Sequence, residues 1–155
     1  MEGFKFDIVL RKLQDKKLQL PKALANIMQR HFKRNFAEQG FVDETVEKWE
    51  EVKRRTPGEF AYKYGLTASR TNPILQGKGS GKLRHSIQII TANWNQIRIG
   101  TVGDVVNKYA AVHNEGLEAG RTRFTMPKRQ FIGHSQKMFH EIEKRIIMEI
   151  NQIFV

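Results

Sequence analysis

The residues able to do chemistry in this 155-residue chain are few and scattered. Its histidines are His31, His85, His113, His134 and His140, and no two of them have the HExxH or i, i+4 spacing of a metal pair. His113-Asn114-Glu115 shares letters with a nuclease signature but lacks partner histidines at fitting intervals, so His113 reads as a histidine bonding backbone in a tight turn. Ser86 and Ser135 have no Asp–His partners in view. The absence of cysteine excludes thiol nucleophiles, disulfides and zinc-thiolate sites. Between residues 66 and 135 the only carboxylates are Asp104, Glu115 and Glu118, too few for paired-carboxylate catalysis. The loop ILQGKGSGKL, Ile74–Leu83, invites a phosphate-loop reading that fails twice. Gln76 replaces the first glycine, and Leu83 stands where the magnesium-ligating hydroxyl belongs. The expectation is a protein with no catalytic site, no cofactor and no metal.

Charge points elsewhere. The formal net charge is +11, and residues 66–135 hold ten basic against three acidic residues. Such a field attracts polyanions, DNA first among them, or an acidic protein face. Lys78, Lys82, Arg84, Arg121, Arg123 and Lys128 are the candidate contacts. The longest apolar run is a few residues, which predicts no membrane-spanning helix. MEGFKFDIVLRK lacks the basic-then-apolar order of a signal peptide, so an intracellular soluble protein is expected.

The elements that must position these residues follow from periodicity. Residues 6–16 carry competing patterns, helical through Phe6, Val9, Leu10 and Leu13 and strand-like through Phe4, Phe6, Ile8 and Leu10. A short helix is preferred. Pro21 opens a second helix to Gln39, with Leu20, Leu24, Ile27, Met28, Phe32 and Phe36 on one face and Gly40 as its stop. Residues 41–73 read as a long loop, mobile or ordered by a partner, with Trp49 packing on the domain. LRHSIQIITA (83–92) and QIRIGT (96–101) predict strands joined by a turn at Asn93-Trp94-Asn95. YAAVHNEG (109–116) predicts one helical turn ended by Gly116, LEAGRTRFT (117–125) an exposed basic loop, and RQFIG (129–133) a short strand. Ser135 caps a last helix that buries Met138, Phe139, Ile142, Ile146, Ile150 and Ile153. The sum is a single α+β domain over 1–155. It has N-terminal helices within 1–40, the loop 41–73, and over 74–155 a small antiparallel sheet with a C-terminal helix packed on it.

Four short motifs in order carry a resemblance. Gly81, Leu83, Ser86 and Ile87 fit G-x-L-x-x-S-I, and a strand then ends in Gly100. Tyr109, Ala110, His113 and Gly116 fit Y-A-x-x-H-x-x-G. Pro127, Arg129, Phe131 and Gly133 fit a Pro-x-Arg-x-Phe-Leu-Gly close, with Ile132 for leucine and Gln130 where proline is common. Over about residues 20–155 the chain resembles the phage virion morphogenesis family, the tail-completion proteins of Mu-like and P2-like phages. The resemblance implies a structural role as a tail terminator or head–tail joining component. It further implies a self-associated ring, commonly a hexamer, between tail tube and connector proteins with DNA in the lumen. Localisation would be the host bacterial cytoplasm during assembly and the virion afterwards. The motif residues, Tyr109, Phe131 and Ile132 above all, would then be buried and hold the fold together. A free-standing basic nucleic-acid-binding protein is the competing reading.

Overall fold

The computed structural model describes residues 5–65, 70–76, 81–120 and 123–154. One long helix, α1 (Phe6–Glu38), is the axis of the molecule. The two expected helices are thus one, and Pro21 lies inside it, buried, instead of opening it. A proline in a helix interior removes one backbone hydrogen bond and disfavours helix at the preceding residue. Tertiary bonds on the preceding turns compensate: the Lys16 ammonium pairs with the Glu149 carboxylate, and Lys12 Nζ reaches the carbonyls of Gln152 and Ile153.

The segment expected as a loop carries structure. Gln39, in the left-handed conformation at φ 51°, ends α1 and sends the chain into the antiparallel pair β1 (Gly40–Val42) and β2 (Val46–Lys48). Trp49 follows and is buried, as expected, and a short helix α2 (Phe60–Tyr64) comes after it. LRHS is helical, not extended: α3 (Lys82–Ser86) starts from Gly81, itself at φ +56°, and the Ser86 hydroxyl donates to the Leu83 carbonyl at 2.7 Å. The strand begins only at Ile87. β3 (Ile87–Ala92) and β4 (Ile97–Thr101) pair antiparallel, with a register shift between Ile89 and Thr91. Their turn is the predicted one, and Asn93 Oδ1 accepts the amides of Asn95 and Gln96 within it.

α4 (Asp104–Glu115) is three turns long, not one, because VGDVVN joins it. Gly116 at φ +72° ends it, and a side chain there would meet the Lys128 Cβ at 3.0 Å and the Lys128 backbone at 3.1 Å. LEAGRTRFT, expected as a loop, contains a minimal hairpin of β5 (Glu118–Ala119) and β6 (Phe124–Thr125). α5 (Gln136–Phe154) has the predicted cap, with the Met138 amide on Ser135 Oγ at 3.2 Å, and Asp43 reaches across to accept the Gln136 amide. This helix lies along α1, and its Met138 joins the core cluster that holds Ile87 of β3. Its buried residues are Met138, Glu149 and Ile153; Phe139 and Ile150, expected inside, are exposed.

RQFIG forms no strand, because its backbone groups are taken by other partners. Arg129 N–H donates to the His113 carbonyl (2.7 Å). The Gln130 carbonyl accepts Trp49 Nε1 (2.8 Å), and Asn114 Oδ1 accepts the amides of Phe131 and Ile132 (2.9 Å each). The Phe131 carbonyl accepts Asn35 Nδ2 (2.9 Å). The core forms around this strap: Phe36 meets Trp49 edge-on at 5.5 Å and Phe131 at 5.3 Å, with Phe32, Ile74, Leu83, Ile87, Ala110 and Met138 filling in.

Two histidines, His31 buried and His113 half-buried, should make the fold acid-sensitive. His31 is buried with Nε2 at 3.0 Å from the Val42 carbonyl, and burial holds its pKa below the ordinary value. Glu141 opposes that shift, while Arg34 and Lys137 reinforce it. His113 is lowered too, first by burial and then by Arg129. For a depressed histidine the unfolded chain binds the extra proton, so stability is full above about pH 6.5 and declines as pH falls toward the folded pKa. Melting temperature should therefore drop between pH 7 and pH 5 at constant ionic strength, and His31→Gln should flatten the drop. A flat wild-type profile would contradict this. At lower pH, Glu149, depressed mainly by its hydrogen bond to Lys16, adds a loss as it protonates.

Candidate functional site

Three of the four sequence motifs converge on one recess. α3 contributes Lys82 and Leu83, α4 contributes Tyr109 and His113, and the strap after β6 contributes Met126 and Arg129. With Val52, Arg54, Leu75 and Gln76 they line a cavity of about 360 Å³. Residues 83 and 129 are far apart in the chain. α4 joins them because the His113 carbonyl accepts the Arg129 amide while Leu83 packs in the shared core.

The chemistry of the lining is cationic over apolar walls. Arg129 is only 5% exposed, and its Nε and Nη2 both donate to the Glu50 carbonyl at 3.2 Å, which fixes the guanidinium plane. Arg54 donates to the carbonyls of Asn72 and Pro73 at 3.0 and 3.1 Å. Burial lowers both guanidinium pKa values, and they remain cations. His113 stacks edge-on to Tyr109 at 6.4 Å, and its Nδ1 is buried with no hydrogen-bond partner among the described residues. No group of three or more His, Asp or Glu side chains that could hold a metal occurs among the described residues.

Of the candidate basic contacts, Lys82 is exposed at the cavity, Arg84 is half-buried, and Arg123 and Lys128 are exposed. Lys78 and Arg121 lie outside the described residues. Among the motif residues, Gly81, Leu83, Ser86, Ile87, Ala110, Arg129 and Phe131 are buried. Tyr109, His113, Gly116, Pro127, Ile132 and Gly133 are half-buried, so Tyr109 and Ile132 are less enclosed than expected. Sequence reasoning missed Arg54, hidden in KRRTPGEF. It also missed Asn35 and Asn114, whose only signal was a polar residue inside or beside an apolar pattern.

The chain is a small α+β fold built on one long helix, with motif residues that serve the core and a recessed cationic cavity. The profile of the phage virion morphogenesis family matches residues 5–151, nearly the whole chain, and the protein belongs to that family. Its role is therefore phage morphogenesis. No curated protein and no solved structure matches it. No helix among the described residues is long and apolar enough to cross a membrane.

Proposed function

We propose that the protein acts as a tail-completion, tail-terminator or head–tail joining component, assembled as a ring around the DNA channel between the tail tube and connector proteins. The observation that carries this reading is the match of almost the entire chain to a virion morphogenesis family. Unspent apolar surface supports self-association. Phe6, Leu10 and Leu13 on the first turns of α1 are exposed, as are Trp94 in the β3–β4 turn and Ile147 and Phe154 on α5. Between these elements runs a groove of about 500 Å³ lined by Leu13, Leu20, Leu24, Trp94, Ile150 and Ile153. Rings need such head-to-tail contacts on each protomer. In this reading the protein acts without catalysis and is incorporated in the virion.

Native mass spectrometry across a concentration series, with negative-stain imaging of the largest species, tests the ring. A closed oligomer is expected. A strict monomer that binds duplex DNA, with affinity falling steeply as salt rises, would favour the free-standing nucleic-acid binder that the ten basic residues of 66–135 also permit. In the particle, the double reversal Arg121→Glu with Arg123→Glu should reduce infectious titre by tenfold or more, on the order of the loss of one or two charge-assisted contacts. Secondary structure should be unchanged, and normal titre would sink the role given to these loops.

A further inference from the structure

We propose that the groove between α1, α5 and the β3–β4 turn receives the aromatic pair Phe60 and Tyr64 from the α2 helix of a second copy of the chain. Each protomer then offers a knob at one end and a socket at the other. The knob is defined by what α2 lacks. It is a helix of 5 residues, none of them buried, and its Phe60 and Tyr64 rings are 76% and 64% exposed and stacked on each other at 4.6 Å. Large rings left in water serve as interface anchors where an apolar pocket exists to take them. The groove is such a pocket. Leu13, Leu20, Leu24, Ile150 and Ile153 wall it beside Trp94, and its volume of about 500 Å³ lies in the range that admits small aromatic groups.

Knob and socket are held apart within one chain. The groove takes its α1 residues from the N-terminal part of that helix, Leu13 to Leu24. The flanks of α2 are tied to the other end: Arg54 donates to the Asn72 and Pro73 carbonyls, and the Ile74 amide donates to Gln39 Oε1 at 2.5 Å. Arg70 Nη2 closes the same segment on the Tyr62 carbonyl at 2.5 Å. From Leu20 to Glu38 the helix rises about 27 Å. The rings therefore fit another protomer's groove, a head-to-tail contact that repeats from copy to copy. Charge agrees with this pairing. Residues 42–65, which carry the knob, hold six acidic and five basic residues, whereas residues 5–24, which carry the socket, hold six basic and two acidic. A groove-to-groove dimer would instead bring two cationic segments together. The inference rests on the self-association proposed above and adds the contact that produces it.

Two variants of the full chain test the contact. Phe60→Ser with Tyr64→Ser removes the knob, and Leu13→Glu with Ile150→Glu, at positions 44% and 45% exposed, charges the socket. Native mass spectrometry should show wild-type oligomers, while each variant alone associates about a hundredfold more weakly, the scale of losing one or two anchor residues. Melting temperatures should stay close to wild type, since none of the four positions is buried. Mixed in equal amounts, the variants should form a heterodimer, because one retains its socket and the other its knob. The absence of cysteine from the chain allows a second readout. Tyr64→Cys and Ile150→Cys, mixed and treated with a short bis-maleimide, should cross-link to each other in preference to themselves. Wild-type oligomers that persist in the knob variant, or mixtures that neither associate nor cross-link across the two variants, would overturn the contact and leave the ring standing. A wild type that is monomeric at every concentration would overturn both.

Discussion

Replacing Phe36 by alanine should cost about 3–5 kcal/mol, the range for deleting a fully buried aromatic ring. Phe36 has no exposed surface and touches both Trp49 and Phe131, so its ring joins α1 to the segment after β2 and to the strap. Little of the surrounding shell can collapse into the void, because those neighbours are pinned by backbone hydrogen bonds: Trp49 N–H on the Gln39 carbonyl and the Phe131 amide on Asn114. Against a typical net stability of about 5–15 kcal/mol, such a loss brings the chain near unfolding. Urea unfolding followed by tryptophan fluorescence checks this. Trp94 is exposed at 59%, so Trp94→Phe in both proteins leaves Trp49 as the reporter of the core. A loss under about 1 kcal/mol would mean that the three rings are not the centre of the fold.

Asn35→Leu should be nearly as damaging although it adds apolar volume. Asn35 is fully buried on α1; its Nδ2 donates to the Phe131 carbonyl at 2.9 Å and its Oδ1 accepts the Val42 amide at 3.0 Å. Leucine leaves both backbone groups buried and unpaired, at about 1–3 kcal/mol each. Hydrogen exchange at the Val42 amide gives a local readout, since that proton should lose protection beyond the global loss of stability. Asn35→Asp separates shape from bonding, because an ionised aspartate keeps the acceptor and loses the donor, which only its protonated form restores. Burial raises the pKa of such a carboxyl, so the folded state holds a proton that the unfolded state releases. Stability of the aspartate variant should then fall as pH rises through about 4 and recover on acidification. Wild-type exchange at Val42 in the leucine variant would refute the role assigned to Asn35.

These two residues also show why parts of the architecture were legible in sequence and others were not. Phe32 and Phe36 belong to a helical stripe, and their burial follows from period alone. Asn35 sits between them, and a polar residue in that position looks like solvent face until its partners 7 and 96 residues away are known. α5 presents the same division. Its extent and its Ser135 cap are local and were readable, whereas Phe139 and Ile150 were misjudged because helix periodicity says nothing about how wide a neighbour covers the face. The cavity was half visible. Lys82, His113 and Arg129 stood in recognised motifs, but nothing in their spacing places them around one recess with Arg54.

By itself, then, the sequence determined the α+β class, the cationic middle of the chain, the lack of a recognisable catalytic constellation, the β3–β4 hairpin and the ordered motifs that mark the family. All of these rest on composition and on short-range repetition, which survive in one dimension. Only the tertiary structure decided that α1 runs unbroken through Pro21, because α5 holds its first turns with Lys12 and Lys16 bonds. Only it decided that RQFIG is a strap rather than a strand, because Asn35, Trp49, His113 and Asn114 claim its amides and carbonyls from across the domain. Backbone groups must be satisfied somewhere, and local pattern cannot tell which distant partner will satisfy them.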